Sequence, residues 1–152
     1  SIGTYPDNRP AFLESRKAAA ALGATYEWNK LEGVTNTNGT VYVAISEITE
    51  SMVKDWGHVN WASGQKDTAD QGDIALDKEA CGAVYRGTMS NDFNLTRLEP
   101  AVVGRTTDGK KRCDDLGIAH PDNILGLSNG SLIIAEDAGK SAHPVDMLWL
   151  IK

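Results

Sequence analysis

The sequence predicts a mostly all-β chain that forms part of a β-propeller, with one N-terminal helix and long loops. Two segments, 31–46 and 121–137, each have the pattern of a strand, an Asn-Gly turn and a second strand. Asn-Gly is the strongest short signal for a tight hairpin. Both segments also place an acid, Glu32 or Asp122, at the entry of the first strand. Repeated hairpins with an equivalent polar residue at one end are typical of propeller blades, and an ordinary β-sandwich is the alternative.

The remaining elements follow in chain order. A helix is expected over residues 10–22, because this run is rich in helix formers and Asp7 or Asn8 can cap it. Gly23 then suits the left-handed position that ends a helix. The segment 57–77 lacks apolar periodicity and is predicted to be a long loop. Besides the two hairpins, strands are expected at 82–86, 98–103 and 147–151.

Length and charge narrow the classes of function. At 152 residues the chain is expected to form one domain over residues 1–152. The formal net charge of −6 disfavours a nucleic-acid partner, because a polyanion would be repelled, and it is compatible with binding of hard cations. The simpler interpretation of the acidity is that it keeps the surface soluble. No run approaches the roughly 18 to 20 uninterrupted apolar residues of a membrane span, so no span is predicted.

The two cysteines, Cys81 and Cys113, leave two interpretations open. They can join in a disulfide that closes a loop of about 30 residues, which would indicate an oxidising compartment, or they can be two separate buried thiols. Neither belongs to a Cys-x-x-Cys pair, which argues against structural zinc. The chain also opens at Ser1 without a methionine, as a processed product or a fragment would.

The order and spacing of several short motifs resemble the PhoX-type alkaline phosphatase family. In that family a helix ending in Leu-Gly-Ala-Thr precedes an Arg-Pro-Glu motif that opens a propeller strand. Here Leu22-Gly23-Ala24-Thr25 precedes Lys30-Leu31-Glu32. The matching segments, in order, are 15–25, 30–34, 41–44, 82–86, 120–123 and 132–137.

The resemblance implies an exported phosphomonoesterase of the periplasm, the extracellular space or an organelle lumen. It implies a propeller whose central cavity holds calcium and iron ions around the substrate phosphate. The chain resembles the C-terminal half of that propeller, so its partner is the remainder of the propeller or another protein chain. The family's cysteine metal ligand lies in the other half, and iron is expected only in the complete protein.

Functional residues carry over from the family position by position. Glu32 corresponds to the family's metal-binding glutamate, and Asp122 corresponds to its metal-binding aspartate in a Pro-Asp motif. Lys30 stands where the family has an arginine that contacts phosphate. Asp137, which follows the second hairpin, is a further oxygen ligand expected at the same rim and completes the predicted metal set.

The sequence leaves three functions open. The first is metal-assisted hydrolysis of a phosphate ester, in which Glu32 and Asp122 hold calcium and Lys30 contacts the phosphate. The second is a non-catalytic propeller that serves as a binding or accessory subunit, because an ammonium lacks the planar two-point grip of a guanidinium. The third is a domain in which calcium is only structural. Without the resemblance, the two acids would be expected to cap turns through backbone N–H groups.

Overall fold

The computed structural model describes residues 7–25, 27–54, 59–60, 65–66, 73–107 and 112–152. These residues form a mostly β structure, as predicted. The strands are β1 Leu31–Thr37, β2 Thr40–Ile45, β3 Val59–Asn60, β4 Gln65–Lys66, β5 Ala83–Thr88, β6 Glu99–Val103, β7 Pro121–Gly126, β8 Leu132–Glu136 and β9 Leu148–Ile151. The helices are α1 Arg9–Leu13, α2 Ser15–Ala21 and α3 Gly139–Ala142, with one 3-10 turn at Glu50–Met52.

The N-terminal helix is split, so the prediction of one helix over 10–22 is wrong in this detail. The backbone of Glu14 leaves the helical region, with φ −141° and ψ 46°, and this residue ends α1 and precedes α2. Gly23 has φ +90°, the left-handed conformation predicted for it after the helix. Of the predicted loop 57–77, only the short β3–β4 pair and residues 73–77 lie within the described residues.

Two antiparallel sheets make up the body of the molecule. The first sheet has four strands in the order β1-β2-β5-β6, and the second has three in the order β7-β8-β9. Both predicted hairpins are present, as β1–β2 and β7–β8. The predicted strands at 82–86, 98–103 and 147–151 appear as β5, β6 and β9. Within the described ranges the two sheets do not close into a ring, so the propeller itself stays a prediction.

The two sheets pack against each other through one face of each. We call the face of the first sheet that carries Ala44 and Val84 its front face, and the face of the second sheet that carries Leu132 and Ile134 its back face. Side chains of β2, β5 and β6 on this front face meet side chains of β7, β8 and β9 on this back face. The buried residues of this core are Ala44, Val84, Ile118, Leu132 and Ile134. The back face of the first sheet is covered separately, by a cluster that includes Met52, Trp28 and Leu76.

The front face of the second sheet is exposed. Leu125, Leu148 and Leu150 are 54%, 72% and 56% exposed, one on β7 and two on β9. The register places them on one face, because Leu125 pairs with Ile133 and Ile133 pairs with Leu150. The second sheet therefore buries one apolar face and presents another to solvent.

Strands β1 and β7 lie side by side and run in the same direction, although they belong to different sheets. Gly33 lies against the backbone of Asp122, and Gly126 lies against the side chain of Thr37. The hydroxyl of Thr37 donates to the carbonyl of Leu127 at 2.7 Å. This close approach requires glycine, because a Cβ at position 33 would collide with the carbonyl oxygen of Asp122.

Cys81 and Cys113 form a disulfide, which settles the alternatives that the sequence left open. The bond spans a sequence separation of 32 and joins the segment before β5 to the loop before β7. Small buried residues surround it: Ala119, Ala138 and Ala142. Among the described residues, no helix is long and apolar enough to cross a membrane.

Replacing Gly33 by alanine tests the β1–β7 contact. We expect Gly33→Ala to lower the free energy of unfolding by about 1 to 3 kcal/mol, because the new methyl group overlaps the backbone of β7. Gly117→Ala is the matched control, since the nearest atom to its new Cβ is 3.7 Å away. Urea denaturation of both variants measures the effect, and equal stabilities would contradict the contact.

Candidate functional site

The residues that precede β1 and β7 have the same unusual backbone. Lys30 and His120 have φ values of 56° and 43°, in the left-handed region that side-chain-bearing residues rarely adopt. The carbonyl of Lys30 accepts the N–H of Ser46 at 3.0 Å, and the carbonyl of His120 accepts the N–H of Asp137 at 3.1 Å. Each hairpin is thus closed at its open end by the same bond between equivalent residues.

The two predicted metal-binding acids occupy equivalent β-bulges. In β1, Glu32 and Gly33 together lie opposite one residue of β2. In β7, Asp122 and Asn123 together lie opposite one residue of β8. Bulges re-aim side chains and are frequent beside functional sites. The two hairpins therefore repeat residue for residue at this end, and Glu32 and Asp122 are structural equivalents.

The packing of β1 against β7 brings these two positions to the same end of adjacent strands. Gly33, next to Glu32, lies against the backbone of Asp122 and Asn123. The acids are 90 positions apart in the sequence, yet their strand entries are neighbours in the fold. Their proposed roles in metal binding stay predictions.

The acids bond to side chains rather than to turns. An oxygen of Glu32 accepts the hydroxyl of Ser46 at 3.4 Å, and an oxygen of Asp122 accepts the amide of Asn123 at 3.2 Å. Over the ranges that the structure describes, no backbone N–H donates to either carboxylate. This disfavours the alternative in which the two acids only cap the strand entries.

The other predicted residues lie at the same end. Lys30 and Asp137 are exposed beside the two hairpin closures. Glu47 follows the first hairpin, and its carboxylate lies 3.9 Å from the Nε2 atom of His120. We call this group the strand-entry cluster. Its members are Lys30, Glu32, Glu47, His120, Asp122 and Asp137.

The described residues do not complete a metal site. Within the described part of the chain, no group of three or more His, Cys, Asp or Glu side chains is placed to hold a metal ion. Calcium takes six to eight oxygen ligands in typical protein sites. The strand-entry cluster can therefore supply only a part of the ligands of a calcium site.

A buried polar network lies beside the strand-entry cluster, and no sequence motif predicts it. The carboxylate of Glu136 is buried and accepts the indole N–H of Trp149 at 2.6 Å and the backbone N–H groups of Ala119 and Met147 at 2.8 and 3.1 Å. Its fourth partner is the Nδ1 atom of His143 at 2.9 Å. Glu136 directly precedes Asp137, so these bonds fix the end of β8 at the cluster.

His143 faces acceptors on both sides of its ring. Its Nδ1 atom contacts the Glu136 carboxylate, and its Nε2 atom lies 3.0 Å from the carbonyl of Asp114. Only the imidazolium can donate to both acceptors. Burial lowers the pKa of His143, but the bonds to Glu136 and Asp114 and the charges of Glu136 and Asp115 outweigh it, so the pKa lies above its ordinary 6.5.

No family model, no curated protein and no solved structure matches this chain. The resemblance to the PhoX-type alkaline phosphatases rests on the sequence motifs given above and stays a prediction. The two acid-bearing hairpins and their equivalent closures stand independently of that resemblance.

The His143 network predicts a pH dependence of stability. A raised folded pKa means that the stabilisation by the imidazolium is complete below the unfolded pKa of 6.5 and is lost as the pH rises through the folded pKa. We therefore expect the free energy of unfolding to fall above about pH 6.5. Urea denaturation across this range should show the fall in the wild type and a much flatter profile in His143→Gln. An unchanged profile in the variant would contradict the assignment.

Proposed function

We propose that this chain is a segment of a calcium-dependent, exported phosphomonoesterase-like β-propeller. In this proposal the strand-entry cluster forms one part of the site for the metal and the phosphate ester. The observation that carries the proposal is the equivalence of Glu32 and Asp122 at the bulged entries of two adjacent, repeated hairpins. An internal repeat that places an acid at the same point of successive units is what a shared central site requires.

The packing of the sheets supports the propeller part of the proposal. The first strands of the two sheets, β1 and β7, lie side by side in the same direction, as the innermost strands of successive blades do. The front of the first sheet packs on the back of the second, and the front of the second sheet is apolar and exposed. A further blade would cover that face in the same manner.

The charge of the strand-entry cluster favours a cation. Four of its members are acids, and Lys30 is the one lysine. A phosphate ester alone would meet a surplus of negative charge there, whereas a bound cation would reverse the sign of the local field. Carboxylates are the ligands that calcium prefers. The described residues hold no complete ligand group, and in this proposal the remaining ligands come from outside the described part of the chain.

Lys30 is the proposed phosphate contact. Its left-handed backbone is fixed by the bond between its carbonyl and Ser46, and its side chain is exposed beside Glu32. An ammonium attracts a phosphate oxygen as a point charge and does not fix the plane of the group. We therefore expect Lys30 to add to binding and to contribute less to orientation than an arginine would.

The disulfide supports export. A buried disulfide persists in oxidising environments such as the periplasm, the extracellular space or an organelle lumen, and it is rare in the reducing cytosol.

A non-catalytic binding or accessory propeller is the second candidate. It is favoured by Lys30 in the place of the family's arginine and by the lack of a complete ligand group within the described residues. The two candidates share the same fold and differ in turnover, so activity decides between them.

Cation binding is the first test. We expect weak calcium binding, with a Kd of about 0.1 to 1 mM, as for sites with few charged ligands. Glu32→Gln and Asp122→Asn should each weaken it about tenfold or more, because each removes one anionic ligand. Asp92→Asn, in an exposed turn after β5, is the matched control and should bind as the wild type does. Isothermal titration calorimetry measures all four proteins, and equal affinities would refute the role of the two acids.

Turnover is the second test. In the complete propeller we expect hydrolysis of p-nitrophenyl phosphate that requires calcium, is abolished by a chelator, and falls about a hundredfold or more in Glu32→Gln. Lys30→Arg should preserve or raise the rate, because a guanidinium grips phosphate at two points. Calcium binding without turnover in the complete wild-type propeller and in its Lys30→Arg variant would favour the accessory propeller instead.

A further inference from the structure

A polar pocket lies at the opposite end of the first sheet from the strand-entry cluster. It has a volume of about 420 Å³ and is bordered by Thr40, which follows the Asn-Gly turn, and by the ends of β5 and β6. The register pairs Thr40 with Thr88 and Tyr42 with Arg86, so the pocket occupies the front face of this sheet. Its volume lies within the range of small-molecule sites.

Two arginines share one carboxylate in this pocket. The Nε and Nη2 atoms of Arg86 donate to one oxygen of Glu99 at 3.2 and 3.1 Å. The Nη2 atom of Arg97 lies 3.6 Å from the other oxygen. One carboxylate thus faces two guanidinium groups, which leaves a net positive charge and free N–H donors. The side chains of Arg86 and Arg97 are 50% and 81% exposed, so these donors are accessible to a ligand.

Four of the other residues that line the pocket carry a hydroxyl group. They are Thr40, Tyr42, Thr88 and Thr96. Within the part of the chain that the structure describes, none of these hydroxyls has a protein hydrogen-bond partner, so each is available to a ligand. Each hydroxyl can donate one hydrogen bond and accept others.

The backbone keeps the two sides of the pocket together. Gly87 lies so close to the carbonyl of Arg97 and the side chain of Leu95 that a Cβ at this position would collide with both. Because Gly87 has no side chain, the segment that carries Thr96 and Arg97 can approach β5. Arg86 lies on β5, and the close approach at Gly87 holds the segment before β6 that carries Arg97 against this strand.

We propose that this pocket binds a small hydroxylated anion of about monosaccharide size, a sugar that carries a phosphate or a carboxylate group. Guanidinium groups bind such oxyanions through paired hydrogen bonds, and the hydroxyl lining matches the hydroxyl groups of a sugar ring. The scarcity of apolar side chains in the lining disfavours a hydrophobic ligand. The pocket is separate from the strand-entry cluster, so this proposal stands or falls independently of the phosphatase activity.

Calorimetric titration of the whole chain in the presence of a chelator tests the pocket and excludes any contribution from calcium at the strand-entry cluster. The probes are glucose 6-phosphate, glucuronate, glucose and inorganic phosphate. We expect one of the two sugar anions to bind at least about tenfold more tightly than glucose and than phosphate, because only a sugar anion uses both the arginines and the hydroxyls. Which one binds identifies the anionic group.

Variants complete the experiment. Arg97→Met should weaken binding of the sugar anion about tenfold or more, and Thr96→Val should weaken it less, since each removes donors from the lining. Arg105→Met removes an exposed arginine that does not line the pocket and should bind as the wild type does. Thermal unfolding of each variant verifies that it is folded. Lack of saturable binding of both sugar anions, equal binding of glucose or phosphate, or an unaffected Arg97→Met would overturn the proposal.

Discussion

The close approach of β1 and β7 is the constraint on which the rest of the structure depends. It is possible because Gly33 presents no side chain to the backbone of Asp122, and it is fastened by the hydroxyl of Thr37 on the carbonyl of Leu127. The approach orients the two sheets so that the front of one covers the back of the other. The same contact makes neighbours of two acids that are distant in the sequence, so the candidate site is a direct product of the packing of two strands.

Hydrogen bonds and the disulfide hold the structure together at one end of the second sheet, whereas apolar packing does so at its centre. The side chains around the disulfide are small, and they leave little apolar area to bury. Cys113 is tied to Cys81, and the next residue, Asp114, offers its carbonyl to His143, which in turn contacts Glu136. This chain of bonds holds the loop before β7 and the end of β8 in place without a large core. Because Asp137 directly follows Glu136, these bonds also set the position of Asp137.

Much of the fold was predictable because its signals are local. An Asn-Gly pair fixes a turn by backbone conformation alone, so both hairpins could be placed from the sequence. The break at Glu14 carries no such signal, since glutamate is a good helix former. The buried role of Glu136 depends on four partner residues outside β8, and no pattern within this strand separates it from the exposed Asp137. A complete ligand set was equally out of reach, because ligands are assembled by packing.

Strand β9 borders the second sheet with one side unpaired among the described strands, and its leucines alternate outward. Backbone N–H and C=O groups on such a border recruit any extended polypeptide of suitable shape, including another molecule of the same kind. The surplus of acidic side chains opposes this recruitment through mutual repulsion, which salt weakens. We therefore expect the unpaired edge of β9 to promote aggregation at high protein concentration and high ionic strength.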